Sequence, residues 1–341
     1  MKKIKKSVKI ITAVVLVIVL LLASGVIFYL SKLNLIKFSD GKFRWNGSID
    51  TNDSETLDEE SRMNEAIADL EEKDAVDATG EIYKDKRFLN ILLIGTDEHT
   101  ENFSENARGD SCMIMSVGKK DGSLKLASLE RGMGMPILDG KYKGQYDWLT
   151  HTFRYGGADL MMREVRECFK VDVERYIRVN FATFKKGIEA VGGIDITLTA
   201  AEAAYISNTG HDCTAGVNHL DGEAALVYAR CRHIDSDWHR IERQRNVIQA
   251  VVTKTKELDI AELNGLLNNV LPLVQTNLTR LEITELLLLA PKYRGAEIKQ
   301  MTVPVSGSYG GMRGLGGRSL FSVDFETNSR ALREFIYGIK D

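Results

Sequence analysis

No charged residue occurs between Ile10 and Leu30, and Lys2, Lys3, Lys5, Lys6 and Lys9 stand directly before that run. A stretch of about 20 apolar residues matches a hydrocarbon core of roughly 30 Å, so the run reads as one transmembrane helix. A cleaved signal peptide has an apolar region of only about 7–15 residues and a small-residue cleavage site. The segment Leu22-Ala23-Ser24-Gly25 resembles a lipoprotein cleavage box but has no cysteine to carry the lipid. An uncleaved anchor is the reading the residues favour. The lysines assign residues 1–9 to the cytoplasm and everything beyond the helix to the outside. The expected location is the cell membrane, single-pass, with an extracytoplasmic C-terminal domain.

Residues 31–87 read as an acidic extracytoplasmic linker. From Asp50 to Asp77 acidic residues outnumber basic ones and large hydrophobes are scarce. Such a stretch buries too little apolar area to offset the entropy of ordering. A short helix within 64–73 is compatible with the pattern but not required by it.

The globular signal starts at Phe88 and runs to the end of the chain, 88–341. The run Asn90–Ile94 ends in Gly95-Thr96-Asp97 and reads as a buried strand feeding a loop. Strands are expected over 112–117 and 124–129, with Asp121-Gly122 as the turn of a hairpin. Leu160, Met161, Val165, Cys168 and Phe169 mark one face of a helix over 158–169, and Phe181, Phe184, Ile188 and Val191 mark another. Gly192-Gly193 closes the latter. Further strands are expected at 176–179, 194–198 and 298–303, and helices at 222–229, 240–258, 283–289 and up to Tyr337. The stretch 310–317 reads as a flexible glycine-rich surface loop. Strands and helices mixed in this way predict an α/β domain, layered with helices covering a mixed central sheet.

The net charge of −3 shows no basic footprint, which with the outward topology argues against a nucleic-acid partner. Cys112, Cys168, Cys213 and Cys231 match no zinc or redox spacing, and a Cys213–Cys231 disulfide is possible. His211, Cys213 and His219 sit in a polar loop without recognisable ligand spacing.

Three clusters carry candidate chemistry. Asp97 follows a strand end, and Arg108 and Asp110 bracket the next strand's start. Carboxylates on such loops suit a hard cation that completes its shell with substrate phosphate oxygens; the bland alternative is turn capping. Glu130-Arg131-Gly132 ends the third strand, where a lone arginine is commonly a surface cap. The third cluster is Arg230, Arg232, Arg240, Arg243 and Arg245, with His233 and His239 among them. Arg230 and Arg232 would share a side if their segment is extended, and Arg240 and Gln244 share a helix face. Converging guanidinium groups match phosphate oxygens in pairs. The alternative is a solvated basic face neutralised by Asp235, Asp237 and Glu242.

In this order the clusters resemble the LytR-CpsA-Psr family. Its pattern is met by ILLIGTD at 91–97, RGDS at 108–111, SLERG at 128–132 and YGG at 155–157. It continues with VGGI at 191–194, LDGEAALVYARCR at 220–232 and RIERQ at 240–244. The closing TVPVSGSYGGM and FIYG segments are also similar to one branch of the family.

The resemblance implies a phosphotransferase that moves a polyprenyl-pyrophosphate-linked glycan, of teichoic acid or capsule type, to peptidoglycan. It implies Mg²⁺ (or Mn²⁺) on Asp97 and Asp110, and pyrophosphate held by Arg108, Arg131, Arg230, Arg232, Arg240 and Gln244. Arg131 and Asp110 are the implied catalytic pair. The lipid tail would enter an apolar cavity beside the sheet, with the helices of 158–169 and 181–191 as candidate walls. One departure matters: the family's P-R-D reads Glu130-Arg131-Gly132 here. Glu130 is a candidate substitute for the missing carboxylate. The alternative is a non-catalytic, membrane-anchored module that binds polyprenyl pyrophosphate or regulates the cell envelope.

Overall fold

The computed structural model describes residues 31–43, 54–104, 107–231, 234–258, 260–293 and 295–339. The lysine-led apolar run and its topology lie outside these residues, as does Arg232. Among the described residues no helix is long and apolar enough to cross a membrane.

In chain order the elements are β1 (Lys37–Phe38), α1 (Ser54–Ala68), β2 (Phe88–Thr96), β3 (Gly109–Gly118) and β4 (Leu124–Leu129). There follow β5 (Gly134–Pro136), β6 (Tyr146–Trp148), α2 (Leu149–Phe169), β7 (Arg175–Asn180) and α3 (Phe181–Ala190). Next come β8 (Ile194–Leu198), α4 (Ala200–Ser207), β9 (Gly216–Leu220), α5 (Gly222–Arg230), α6 (Asp237–Glu257) and α7 (Ile260–Val270). The chain finishes with β10 (Gln275–Thr276), α8 (Arg280–Tyr293), β11 (Ile298–Val303), β12 (Tyr309–Arg313), β13 (Ser319–Val323) and α9 (Phe325–Tyr337).

Seven strands form one mixed sheet in the order β1-β10-β7-β2-β3-β4-β11. The pairs β2–β3 and β3–β4 are antiparallel, whereas β2–β7 and β4–β11 are parallel. The Asp121-Gly122 turn closes β3–β4: Asp121 Oδ1 accepts from Ser123 N at 3.0 Å, and Gly122 takes φ +72°.

Every residue of 91–94 is apolar because both sheet faces are covered. Leu92 and Ile94 point with Ile114 and Ala127 into a core shared with α2 and α9, through Met161, Val165, Phe169, Phe325, Leu332 and Ile336. Leu93, one step out of phase, packs with Met113 and Leu126 against Ile248 and Val252 of α6. A separate cluster under α3, α5 and α6 is built from Ile188, Ile194, Leu198, Tyr228 and Val247.

The linker reading of 31–87 differs from what the structure holds. Met63, Ile67 and Leu70 fall on one face of α1 and its C-terminal turn, and pack on Trp148, Leu320 and Phe321. Glu60 on α1 meets the buried His151, its Oε1 lying 3.1 Å from the imidazole Nε2. Beyond α1, Glu72, Val76 and Tyr83 bridge to Gly311, Asp324 and Val171. A handful of apolar residues at helical spacing was enough to dock a segment that is acidic overall.

The 310–317 loop is likewise ordered: residues 309–313 form β12, paired antiparallel with β13. Glycine serves close approach here, since a Cβ on Gly310 would fall 2.7 Å from the Glu71 carbonyl oxygen. The segment holding Arg230 is not extended either, and Arg230 is the last residue of α5. None of the four cysteines is in a disulfide, so Cys213 and Cys231 are not bridged.

Candidate functional site

The site is assembled where β2 ends, β3 begins and β4 ends. A register shift between Gly95 and Thr96 throws Asp97 out of the β2–β3 ladder. Its Oδ1 accepts from the Arg108 backbone N–H at 2.9 Å and its Oδ2 from Arg108 Nε at 2.8 Å. Arg108 Nη2 also lies 3.6 Å from Asp110 Oδ2. Asp110 Oδ1 accepts from Arg131 Nη1 at 3.3 Å and from Thr150 Oγ1, in the first turn of α2, at 3.1 Å.

A closed circuit of alternating charge follows. Arg131 Nε donates to Asp237 Oδ2 at 3.4 Å, and Asp237 Oδ1 is 3.3 Å from Arg240 Nε. Arg240 Nη1 returns to the backbone carbonyl of Asp110 at 3.2 Å. Arg108, Asp110, Arg131 and Arg240 are all buried. Buried guanidinium groups of this kind are stable only when paired, and the pairing fixes the direction of their forks.

Burial and the negative charge of Asp110 both raise the pKa of Asp97, against the opposing pull of Arg108. Two carboxylates close enough to feel each other, beside a space for phosphate, fit a divalent cation that would relieve their repulsion. Among the described residues no group of three or more His, Cys, Asp and Glu side chains gathers as a metal site. A cation here would therefore depend on substrate oxygens.

A cavity of about 270 Å³ opens onto this cluster. One end carries Asp110, Arg230, Arg240 and Gln244, and the remainder is walled by apolar side chains including Leu93, Met113, Ile177, Phe184 and Ile248. Ser111 Oγ donates to Gln244 Oε1 at 3.0 Å, and the Arg230 guanidinium lies 4.3 Å from the Phe181 ring centre. Of the two helices expected to line such a cavity, only α3 does. The apolar face of α2 packs into the core on the opposite side of the sheet.

The structure thus brings Asp97, Arg108, Asp110, Arg131, Arg230, Arg240 and Gln244 together. It does not bring Arg243 or Arg245. Arg243 is buried and paired with Glu202 at 2.7 Å and with Asp235, and Arg245 reaches Thr302 at the end of β11. His239 caps locally with Ser236, and His219 pairs with Asp195 at 2.7 Å.

Sequence reasoning passed over Thr150 and Arg154, and treated Asp237 only as a neutralising partner. Arg154 is buried near Arg108 and Asp97, and burial pulls its pKa down. The signal for Asp237 was available: it stands three residues before Arg240, on the same face of a helix start. Thr150 gave no signal, because only the tertiary fold brings α2 to β3.

Position 132 is crowded by side-chain ends that would have to shift to admit a Cβ. A Cβ there would lie 2.9 Å from Met63 Sδ and 3.2 Å from both Ile67 Cδ1 and Phe321 Cδ2. Glu130, in contrast, is buried beside the circuit. Its Oε1 accepts from the Gly132 backbone N–H at 3.2 Å, and its Oε2 has no hydrogen-bond partner among the described residues. Burial, with the Asp237 charge adding to it, pushes the Glu130 carboxyl up to about 7.

A sequence model of the LytR_cpsA_psr family matches residues 52–331. A curated relative from Enterococcus faecalis, named polyisoprenyl-teichoic acid–peptidoglycan teichoic acid transferase TagU, is 33% identical over 222 residues. That match covers 63% of this chain and 69% of the relative. Protein gbs0355 from Streptococcus agalactiae superposes with a TM-score of 0.63 at 24% identity, covering 75% of this chain and 90% of that one. The LytR-CPS2A-psr family protein YwtF (TagT) with bound octaprenyl pyrophosphate lipid superposes at 0.55 with 21% identity, covering 79% and 98%. At these identities the superpositions establish the shared mixed α/β fold.

Proposed function

The chain belongs to the LytR-CpsA-Psr family, and on that premise we propose that it transfers a glycan polymer from a polyprenyl-pyrophosphate carrier to peptidoglycan. The relative named as a teichoic acid transferase and the solved structure with octaprenyl pyrophosphate support this reading. The observation that carries it is the Asp110–Arg131–Asp237–Arg240 circuit at the mouth of an apolar cavity.

A prenyl chain suits the apolar walls, and the diphosphate suits the end with Arg230, Arg240 and Gln244. An acceptor hydroxyl attacks the phosphorus next to the glycan, a new P–O bond forms, and the bond to polyprenyl phosphate breaks. Negative charge gathers on the phosphoryl oxygens, where pre-oriented arginines contribute most. Arg131 and Arg108 face that charge, Asp110 and Asp237 hold the guanidinium groups in place, and Glu130 takes the hydroxyl proton. Asp97 and Asp110 would hold Mg²⁺ or Mn²⁺, which supplies further neutralisation of phosphate oxygens. An anchor at residues 10–30 would keep the domain beside a membrane that already contains the donor.

Gly132 favours a second reading, a module that binds the lipid without turnover. Full-length protein incubated with a polyprenyl-pyrophosphate glycan, a peptidoglycan oligomer and Mg²⁺ separates the two by mass spectrometry. Transfer that Arg131→Ala lowers about 10²–10³-fold supports the enzyme. Donor binding without product supports the module.

A further inference from the structure

We propose that a second cavity, between the 139–143 loop and the break in α2 at Gly156-Gly157, is the acceptor site and takes an anionic glycan chain. The proposal rests on the phosphotransfer reading. The cavity measures about 880 Å³. Tyr142 and Tyr155 pack edge to face on its wall, 5.5 Å between ring centres, with Lys42, Lys141 and Arg163 around them.

The groove is built by the Tyr155-Gly156-Gly157 motif, for which the phosphate site has no use. Gly157 takes φ +69°, and a Cβ there would fall 2.3 Å from the Gly41 carbonyl oxygen. That contact lays residues 41–43 against the helix, where the same carbonyl accepts from Asp159 N at 3.1 Å. Lys42 and Phe43 become one wall. Tyr155 is held rigid by its hydroxyl, which donates to the buried Asp147 at 2.5 Å.

Chemistry and position both select a glycan acceptor. A pyranose has an apolar C–H face and a polar rim, which suits aromatic rings that carry a hydroxyl. Arg163 lies 3.0 Å from Asp159 and 3.5 Å from Asp139. Both carboxylates of the groove are thus turned to Arg163, and Lys42 and Lys141 leave it with one net positive charge, which favours a chain bearing carboxylates.

In-line displacement puts attacking and leaving oxygens on opposite sides of phosphorus. With the leaving polyprenyl phosphate in the cavity on the α3–α6 side, an in-line acceptor would approach from the side away from it, where α2 reaches the site through Thr150. Thr150 on α2 touches Asp110. Tyr155 lies five residues along the same helix, roughly 8 Å away along its axis.

Binding to full-length protein in detergent tests this, with a soluble uncrosslinked peptidoglycan oligomer and a polyprenyl-pyrophosphate glycan as separate probes. Tyr142→Ala and Lys141→Glu change residues of an exposed loop. Each should raise the oligomer Kd roughly tenfold, the loss expected for one aromatic or charged contact. Tyr142→Phe should retain most of the affinity, and donor Kd should not move. Unchanged oligomer affinity, no oligomer binding by the parent protein, or a loss confined to the donor would overturn the proposal. Absence of transfer with oligomer binding intact would count against the phosphotransfer reading and leave the groove standing.

Discussion

Met63 Sδ crowds residue 132, lying 2.9 Å from where a Cβ on Gly132 would stand. The pair ties the departure from the family's P-R-D pattern to the docking of α1. Restoring the aspartate by Gly132→Asp should overpack this contact and destabilise the fold by about 1–3 kcal/mol. Thermal melting of Gly132→Asp and of Gly132→Asp with Met63→Ala checks it, the double variant recovering part of the loss. Equal melting of Gly132→Asp and the parent would show that α1 yields freely.

Glu130 links stability to pH. Burial pushes its carboxyl up to about 7 in the folded protein, against about 4.3 in an unfolded chain. Below both values the carboxyl is protonated in either state and contributes nothing. Between them the unfolded chain loses its proton while the folded one keeps it, so stability falls as pH rises through this window. Above about 7 the penalty is complete, roughly 3–4 kcal/mol. Glu130→Gln should therefore flatten the fall between pH 4.5 and 7 and raise stability at pH 8, measured by urea denaturation. If Glu130 takes the acceptor proton, the same variant should lower kcat and remove the rate limb near pH 7.

Asp237 holds Arg131 and Arg240 from opposite sides of one carboxylate. Asp237→Asn keeps the shape and an acceptor oxygen but removes the charge that orients both forks. Transfer should fall roughly 10–10²-fold, as expected when reacting groups lose their alignment. The loss should be larger in kcat than in donor Kd, because Arg240 loses its partner whereas Arg230 and Gln244 stay in place. Single-turnover kinetics beside equilibrium donor binding distinguishes the two.

Much of this arrangement was legible in the sequence because the signals were local. The run 91–94, the Asp121-Gly122 turn and the alternation of 194–198 each specify their element without reference to neighbours. The Asp97, Arg108 and Asp110 cluster was visible because all three flank one loop. What stayed hidden depended on distance or on averages. The apolar face of α1 was submerged in an acidic stretch. Spacing gave α2 a buried face but not which side of the sheet it covers. Arg230 fell in a segment too short for periodicity to separate helix from strand. Thr150 joins the site only because a hairpin returns α2 to the start of β3.

The phosphate and apolar ends of the donor cavity should respond to different changes. Ile177 lines the apolar wall on β7, away from the arginines. Ile177→Trp adds a bulky ring to a space of about 270 Å³ and leaves every charged group untouched. A polyprenyl-pyrophosphate probe should then bind about tenfold more weakly, because displaced prenyl carbons lose burial worth about 0.8 kcal/mol per methylene. Inorganic pyrophosphate should bind as before, since the contacts proposed for it are with Arg230, Arg240 and Gln244. Calorimetry with the two probes reads the difference directly. Equal weakening of both would mean that the wall supports the phosphate end rather than the tail. Weakening of neither would place the prenyl chain outside this cavity, and the pairing of one cavity with one donor would have to be abandoned.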